Sequence, residues 1–106
     1  MSVKEPGVPD KFRVEFASRA QKDLSKLSQS IRNILLKRAT ILQQDPFPQG
    51  SLKKKIKGVK YPLFRLRVNT PQDSFRLFYG IQKEVVLILR IVSKKDADKV
   101  LRVLRN

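Results

Sequence analysis

The chain has 106 residues, enough for one small domain, and 41% of them are hydrophobic, which excludes wholesale disorder. Its 24 Lys and Arg residues outnumber its 9 Asp and Glu residues, so the formal charge of +15 favours a polyanionic or acidic partner over a surface that is basic only for solubility. Cys and His are absent, which excludes disulfides, thiolate nucleophiles, Cys-ligated metals and histidine acid–base chemistry.

The termini and apolar runs favour a cytoplasmic protein of one domain. The longest purely apolar run, from Val85 to Leu89, is far short of the roughly 20 residues needed to span a bilayer. Residues 1–10, MSVKEPGVPD, lack an apolar signal core and are interrupted by Pro and Gly. We therefore expect a flexible N-terminal arm over 1–10, a single domain over 11–106, and no cofactor or metal.

The first half of the chain predicts one strand and two helices. Residues 11–16, KFRVEF, alternate apolar and charged side chains, as a half-buried strand does. Helical spacing follows over 17–27, with Ser18 as the expected N-cap, and a second helix begins near Ser30. The prolines and glycine of residues 44–50, QDPFPQG, end it. The short connection around Ser28 predicts an antiparallel helical hairpin.

The second half predicts three strands and a final helix. YPLFRLRVN and DSFRLFYGIQ are two strands joined by turn residues, and EVVLILRIVS is apolar enough for a strand buried on both faces. SKKDADKVLRVLRN opens with Ser93 and Asp96 spaced like a capping box. The predicted order is βααβββα, a small α+β domain whose antiparallel, twisted sheet is packed by the helical hairpin and a short C-terminal helix.

The two middle strands predict a cluster of arginines. Side chains alternate faces along a strand, so Arg65 and Arg67 share a face, and Arg76 and Phe78 join them if the apolar sets pack on the helices. Like charges across a sheet are destabilising, so the cluster favours a bound phosphate backbone. On this reasoning the face is open, Arg76 is exposed, and Phe78 is available for stacking on an RNA base.

A lysine-rich approach leads into these strands. No acidic residue occurs from Gln49 to Gln72, whereas five lysines precede the arginines: Lys53, Lys54, Lys55, Lys57 and Lys60. We predict that they contact RNA. The alternative is a solvated basic edge that only prevents aggregation between sheets.

The order of these segments resembles the RelE/ParE superfamily of toxins from toxin–antitoxin systems. The resemblance covers about Lys11 to Leu104. It depends on ASRAQKDLSKL after the first strand, on DPFPQGSLKKKIKG, on the basic strand LFRLRV, on SFRLFYGI, and on VVLILRIVSKKDADKVL.

The resemblance implies a RelE-like fold and a toxin that cleaves mRNA in the ribosomal decoding site. The ribose 2′-OH would attack its own phosphate without metal, and an antitoxin would silence the toxin. It assigns Arg65 and Arg67 to the scissile phosphate, Arg76 to its developing charge, and Lys94 and Lys95 to a C-terminal basic pair. Arginine forks suit both positioning and charge stabilisation of a phosphoryl group.

The proton-transfer group is the main departure from the family pattern. Many active members have a tyrosine in the last segment, where this chain has Leu101, which lies on an apolar helical stripe and is better interpreted as a core residue. A lysine with lowered proton affinity or a tyrosine would have to serve as the base. Tyr79 falls on the apolar side of its strand, and Tyr61 stands at a strand start.

Three functions therefore stay open from the sequence. The first is a ribosome-dependent mRNA endonuclease that inhibits translation, and the second is a ParE-like inhibitor of DNA gyrase on the same fold. The third is a non-catalytic RNA- or DNA-binding module. An acidic antitoxin is the expected protein partner, its amphipathic helix covering Val103 or Leu104 beside the last helix.

Overall fold

The computed structural model of the protein describes residues 11–105, so the predicted N-terminal arm, residues 1–10, lies outside the described part. The elements follow in this order: β1 (Arg13–Phe16), α1 (Ser18–Ser25), α2 (Gln29–Ala39), the single turn α3 (Ile41–Gln44), β2 (Lys53–Lys55), β3 (Phe64–Asn69), β4 (Ser74–Gln82), β5 (Val85–Ser93) and α4 (Lys94–Arg105).

The strands form one five-stranded sheet in the order β1-β5-β4-β3-β2. The predicted α+β class, with a helical hairpin and a C-terminal helix, is confirmed, but the sheet differs in two details. β1 pairs with β5 in parallel, whereas the three other pairings are antiparallel. The lysine run also forms a strand, β2, at the edge. Its three lysines lack the apolar alternation that predicts strands, and only backbone pairing with β3 reveals it.

The sheet has a separate apolar core on each face. One face packs against α1 and α2, with Ala20, Leu35 and Ala39 of the helices buried on Leu66, Leu77 and Ile88 of the strands. The other face packs against α4, where Leu63, Phe78, Val92 and Val100 form a smaller buried cluster. The sheet is therefore the middle of three layers, and α4 covers part of the face that was expected to be open.

The helix ends show which local signals were correct. α2 is capped by Ser28, whose Oγ accepts a hydrogen bond from the Ile31 N–H at 3.3 Å, in agreement with the predicted connection. The prediction of Ser18 as a cap was wrong, because Ala17 occupies that position and no side chain caps α1. Within residues 11–105, no helix is both long and apolar enough to cross a bilayer.

Candidate functional site

Three arginines meet on the face of the sheet that α4 partly covers. Arg65 and Arg67 alternate with buried apolar residues along β3, and the antiparallel register sets Arg67 directly opposite Arg76 of β4. Phe78 lies opposite Arg65 on the same face. The convergence expected from the period-2 pattern is therefore present.

The arginines line a hollow of about 310 Å³ between the sheet and the first half of α4. Lys94 at the start of α4 adds a fourth cation, and Asp98, one turn later, is the acidic residue in the lining. The remaining lining is apolar: Ile56, Phe78, Ala97 and Leu101. We call this space the arginine hollow. Its walls combine cationic with apolar side chains, and a partly desolvated setting strengthens the attraction for an anion.

The guanidinium groups keep hydrogen-bonding capacity free. Arg65 donates from Nη2 to the Ser51 carbonyl at 3.0 Å, and Arg76 donates from Nη1 to Ser74 Oγ at 2.8 Å. The Nε atoms of Arg65 and Arg67 are buried without a hydrogen-bond partner among residues 11–105. Buried donors are normally satisfied, so these two donors, unmatched within residues 11–105, are unusual.

Electrostatics point to the same conclusion. Burial, and then the positive charge of Arg67, lower the pKa of Arg65. Burial lowers the pKa of Arg76 as well, with further contributions from Arg67 and Arg65. The ion pairs within residues 11–105 involve other basic residues, namely Arg13, Lys53 and Arg90. The hollow therefore holds an excess of positive charge, four cations against the one carboxylate of Asp98, which a bound anion would stabilise.

Two predictions about exposure on this face were wrong. Arg76 is only 5% exposed and Phe78 only 1% exposed. Both residues lie beneath α4, which packs Ala97, Val100 and Leu101 onto this part of the sheet. Phe78 is therefore a core residue and its ring is not available to a base, so its predicted role in RNA binding is corrected.

The five lysines that precede β3 in the sequence lie in different environments. Lys53 is 3% exposed, and its Nζ donates to the Asp45 carbonyl at 2.6 Å while lying 3.8 Å from the Asp45 carboxylate. Its predicted RNA contact is wrong, because the ammonium holds the turn that follows α3. Lys54 is exposed and stands opposite Arg65 in the sheet register. The other three predicted contacts are also exposed: Lys55, Lys57 and Lys60.

The C-terminal basic pair is divided. Lys94 lines the arginine hollow, whereas Lys95 is exposed and is not part of its lining. Consecutive helical residues point about 100° apart, so a single hollow cannot take both side chains.

Neither tyrosine lies in the arginine hollow. Tyr79 is fully buried on the hairpin side of the sheet, and its hydroxyl donates to the Pro46 carbonyl at 2.7 Å. Burial, with the negative charge of Asp45, raises the pKa of Tyr79 well above its ordinary value. Tyr61 is exposed and donates to the Leu104 carbonyl at 3.1 Å, near the other end of α4. Both positions disfavour a role in proton transfer at this site.

Leu101 was interpreted from the sequence as a core residue, and the structure adds a second role. It is half-buried, packs against the α4 core, and also lines the arginine hollow. The helical stripe predicted the first contact. The second contact, and the participation of Asp98, depend on how α4 lies across the sheet, which no local pattern specifies.

A larger apolar groove of about 890 Å³ lies at the far end of α4. Tyr61, Leu87, Leu89 and Leu104 contribute its apolar lining, and Arg13, Glu15, Lys83 and Glu84 are among its charged residues. Leu87 is 37% exposed, so the expectation that β5 is buried on both faces was wrong at this end of the strand. The groove marks apolar surface that residues 11–105 leave uncovered.

Solved structures of bacterial and archaeal toxins are similar to this fold. The archaeal RelE–RelB complex from Pyrococcus horikoshii is 23% identical, covers 78% of this chain and 94% of that chain, and has a TM-score of 0.62. A free double arginine-to-alanine mutant of the E. coli toxin RelE is 22% identical over 89% of this chain and 94% of that chain, with a TM-score of 0.69.

A third solved structure is similar to this chain, and a family model matches most of it. The RelBE2 toxin–antitoxin complex from Mycobacterium tuberculosis is 26% identical over 79% of this chain and 99% of that chain, with a TM-score of 0.63. No protein with a curated description is significantly similar in sequence. Residues 14–98, most of the chain, match the model of the ParE toxin of type II toxin–antitoxin systems. The chain therefore belongs to the RelE/ParE superfamily and is a toxin of a type II toxin–antitoxin system.

Proposed function

We propose that this toxin is a ribosome-dependent mRNA endonuclease that inhibits translation. The observation that carries the proposal is the arginine hollow, in which three guanidinium groups and Lys94 surround a space with unfilled hydrogen-bonding capacity. A phosphodiester of mRNA supplies acceptor oxygens for the guanidinium groups that line the hollow. It also supplies negative charge where the cations outnumber the single acid, Asp98.

The proposed reaction is an internal transesterification. The 2′-hydroxyl gives up its proton to solvent water, the 2′-oxygen forms a bond to phosphorus, the bond from phosphorus to the 5′-oxygen breaks, and a 2′,3′-cyclic phosphate and a 5′-hydroxyl result. Arg65 and Arg67 hold the non-bridging oxygens, and Arg76, fixed by Ser74 and the Phe75 carbonyl, adds stabilising charge. Lys94 is the cation in the lining that can donate a proton to the departing 5′-oxygen.

The protein's part in this mechanism is chiefly positioning and charge. The tyrosines lie elsewhere, and Leu101 brings no proton-transfer group to the hollow. A ribosome that holds the mRNA backbone in an in-line conformation complements such a site, because orientation alone can lower the barrier by several kcal/mol, roughly 7 or more. Dependence on the ribosome follows from this division of roles.

The test is cleavage of mRNA by the purified toxin in the presence and absence of programmed ribosomes, with mapping of the new 5′ ends. Cleavage confined to the decoding site is expected for the parent protein and for Arg13→Met. Arg13 is an exposed strand arginine outside the hollow, whereas Arg67→Met removes one of the phosphate ligands and should abolish cleavage. The proposal would be contradicted if the parent toxin is folded and the mRNA stays intact after incubation with programmed ribosomes.

Inhibition of DNA gyrase is the second candidate, because the family model that matches is that of the ParE toxin. In that case the protein does not cleave RNA at the arginine hollow. Purified toxin would instead block the supercoiling of plasmid DNA by gyrase. A module that only binds phosphates is the third candidate. It would bind nucleic acid with strong salt dependence and cleave nothing even on ribosomes. One supercoiling assay and one cleavage assay separate the three.

We also propose that an acidic antitoxin binds this chain. Several of the similar structures are complexes of RelE toxins with RelB antitoxins, and the formal charge of +15 favours an acidic partner. The apolar groove beside α4 supports the expected position of its amphipathic helix, since Leu104 lines the groove and Val103 is 65% exposed.

Co-expression with the product of the adjacent gene tests this partnership. A stable complex is expected, and Leu87→Asp in the groove should weaken it about 100-fold or more, as loss of a buried hot spot does. Leu36→Asp is the matched control, because Leu36 is similarly exposed but lies on α2. Equal loss of binding by both variants would place the antitoxin outside the groove.

A further inference from the structure

We propose that the arginine hollow also binds a chain of anhydride-linked phosphates and that this ligand competes with mRNA. Inorganic polyphosphate and the triphosphate of a free nucleotide share this chemistry. The competition rests on the proposed function, whereas binding of the ligand does not require that the toxin cleaves RNA. The charge of the hollow, its size and the lysine beside it all exceed what one phosphodiester needs.

The positive charge of the hollow is greater than one phosphodiester can neutralise. Three arginines and Lys94 stand against the single carboxylate of Asp98, which leaves an excess of three positive charges. A phosphodiester carries one negative charge, and the transition state of its cleavage gains only one more. The triphosphate of a nucleotide carries about 3.5 to 4, because its terminal phosphate contributes about 1.5 to 2 at neutral pH. A polyphosphate therefore balances the charge of the hollow more fully.

The arginines are also closer together than the phosphates of an RNA strand require. Arg67 and Arg76 are direct partners across β3 and β4, a relationship that sets two Cβ atoms about 5 Å apart. Arg65 lies two positions from Arg67 along β3, or about 6.6 Å. Successive phosphates of RNA are separated by a ribose, whereas those of a polyphosphate share one bridging oxygen. A compact group of cations therefore matches a compact chain of phosphates.

The volume of the hollow favours more than one phosphate group. Its 310 Å³ equals the space of roughly ten water molecules, at about 30 Å³ each. A single phosphodiester group, with its four oxygens, fills roughly half of that space, whereas a triphosphate group fills most of it. Without further phosphates, the ribose of the bound nucleotide or water would have to occupy the rest of a space that cations surround.

The cations lie on two walls of the hollow that face each other. On the sheet wall, Arg76 is held by hydrogen bonds from Nη1 to Ser74 Oγ at 2.8 Å and to the Phe75 carbonyl at 3.0 Å. On the helix wall, Lys94 is the first residue of α4, where the positive end of the helix dipole adds to its charge. A chain of phosphates can contact both walls at once, because each of its phosphates offers separate acceptor oxygens.

Positive charge continues beside the hollow along the edge of the sheet. Lys54 is exposed and pairs with Arg65 across β2 and β3, so the two side chains share the sheet face on which the hollow lies. Ile56, two positions after Lys54, lines the hollow itself. A chain longer than a triphosphate can therefore extend from the arginines to Lys54.

Calorimetric titration of the toxin at constant ionic strength, without divalent cations, tests the ligand class. Inorganic tripolyphosphate should bind at one site per protein and about 100-fold or more tightly than a dinucleoside monophosphate, since it forms several additional charge-assisted hydrogen bonds. Arg67→Met should weaken tripolyphosphate binding by about tenfold or more. Arg38→Met is the matched control, because Arg38 is an exposed arginine of α2, on the other side of the sheet, and its loss should leave the affinity unchanged.

Two further ligands distinguish the sources of the phosphate chain. Tighter binding of ATP than of tripolyphosphate would assign the site to a nucleotide whose nucleoside packs on the apolar wall. Weaker binding of ATP would assign it to inorganic polyphosphate, and Lys54→Gln should then weaken the binding of a chain of about ten phosphates more than that of tripolyphosphate. Equal affinity for tripolyphosphate and the dinucleoside monophosphate, or equal losses in Arg67→Met and Arg38→Met, would overturn the inference.

A cleavage assay tests the competition with mRNA. Tripolyphosphate, added with an equal amount of Mg²⁺ so that the ribosomes keep theirs, should raise the KM for programmed ribosomes and leave kcat unchanged. Cleavage that persists unaltered at saturating tripolyphosphate contradicts the competition. If the parent protein cleaves no mRNA but binds tripolyphosphate through Arg67, the polyphosphate site stands and the proposed nuclease activity falls. If Arg67→Met loses cleavage but binds tripolyphosphate as the parent does, the nuclease stands and the polyphosphate site falls.

Discussion

Arg67 of β3 stands directly opposite Arg76 of β4, and neither guanidinium forms an ion pair within residues 11–105. Two like charges paired across a sheet disfavour the fold. The arrangement keeps attraction for an anion at the expense of stability, as functional sites often do.

Replacing Arg67 should therefore improve stability while abolishing activity. Arg67→Met keeps the apolar stem of the side chain, removes the repulsion with Arg76, and eliminates a buried donor that has no partner within residues 11–105. We expect a gain of about 0.5 kcal/mol in the free energy of unfolding and a loss of roughly 100-fold or more in cleavage. Denaturant titration and a ribosome-dependent cleavage assay measure the two effects. A less stable Arg67→Met protein would show that the arginine is structural.

A simple oxyanion should stabilise the folded toxin through the same hollow. Phosphate or sulfate at 100 times its dissociation constant adds about 2.7 kcal/mol to the free energy of unfolding, since it binds the folded state alone. Thermal unfolding at constant ionic strength, with chloride as the reference salt, measures the shift. The shift should be much smaller in Arg67→Met. An equal shift in that variant would indicate general salting-out instead of binding.

Tyr79 predicts a loss of stability at alkaline pH. Its folded-state pKa is raised by burial and by Asp45, so its contribution is complete below the unfolded value, about 10, and is lost as the pH rises above it. Tyr79→Phe should remove this part of the decline. At neutral pH it should cost about 1 kcal/mol, because the Pro46 carbonyl loses its donor.

Denaturant midpoints between neutral and alkaline pH test the titration of Tyr79. Tyr61→Phe is the control, because it removes the same hydroxyl from an exposed tyrosine. Cleavage by Tyr79→Phe should equal that of the parent protein, since the phenol lies on the hairpin side of the sheet. A decrease in kcat would assign Tyr79 to the reaction after all.

The Asp23–Arg90 ion pair should contribute far more to the free energy of unfolding than the exposed ion pairs do. Asp23→Asn leaves the buried Arg90 without its counter-ion and should lower the free energy of unfolding by about 3 kcal/mol. Glu15→Gln breaks an exposed pair with Arg13 and should cost less than about 1 kcal/mol. Chemical denaturation compares the two variants. Similar costs would mean that the Asp23–Arg90 pair does not hold α1 to β5.

Leu101→Tyr should raise activity, because Leu101 lines the arginine hollow. A phenol there provides a proton-transfer group beside the arginines, and we expect cleavage to increase by about tenfold or more. Leu104→Tyr is the matched control, since Leu104 lies one helical turn further along α4 and lines the apolar groove. Unchanged cleavage by Leu101→Tyr would mean that proton transfer does not limit the rate.

The sequence by itself determined which side chains share a face of a strand or of a helix. Alternation along a strand follows from backbone geometry, so the shared face of Arg65, Arg67 and Arg76 was predictable before any contact was known. The same holds for the helical hairpin, whose apolar stripes and connecting Ser28 are local features. The lack of acidic residues from Gln49 to Gln72 was also visible in the chain alone.

What covers each face was decided only by the tertiary structure. Arg76 and Phe78 were expected in the open, yet α4 packs over them, because an amphipathic helix must bury its apolar stripe on whichever sheet surface the connection from β5 can reach. Lys53 belongs to a basic run but is folded inward onto Asp45. Burial and ion pairing depend on residues far apart in the chain, and local periodicity carries no information about such contacts.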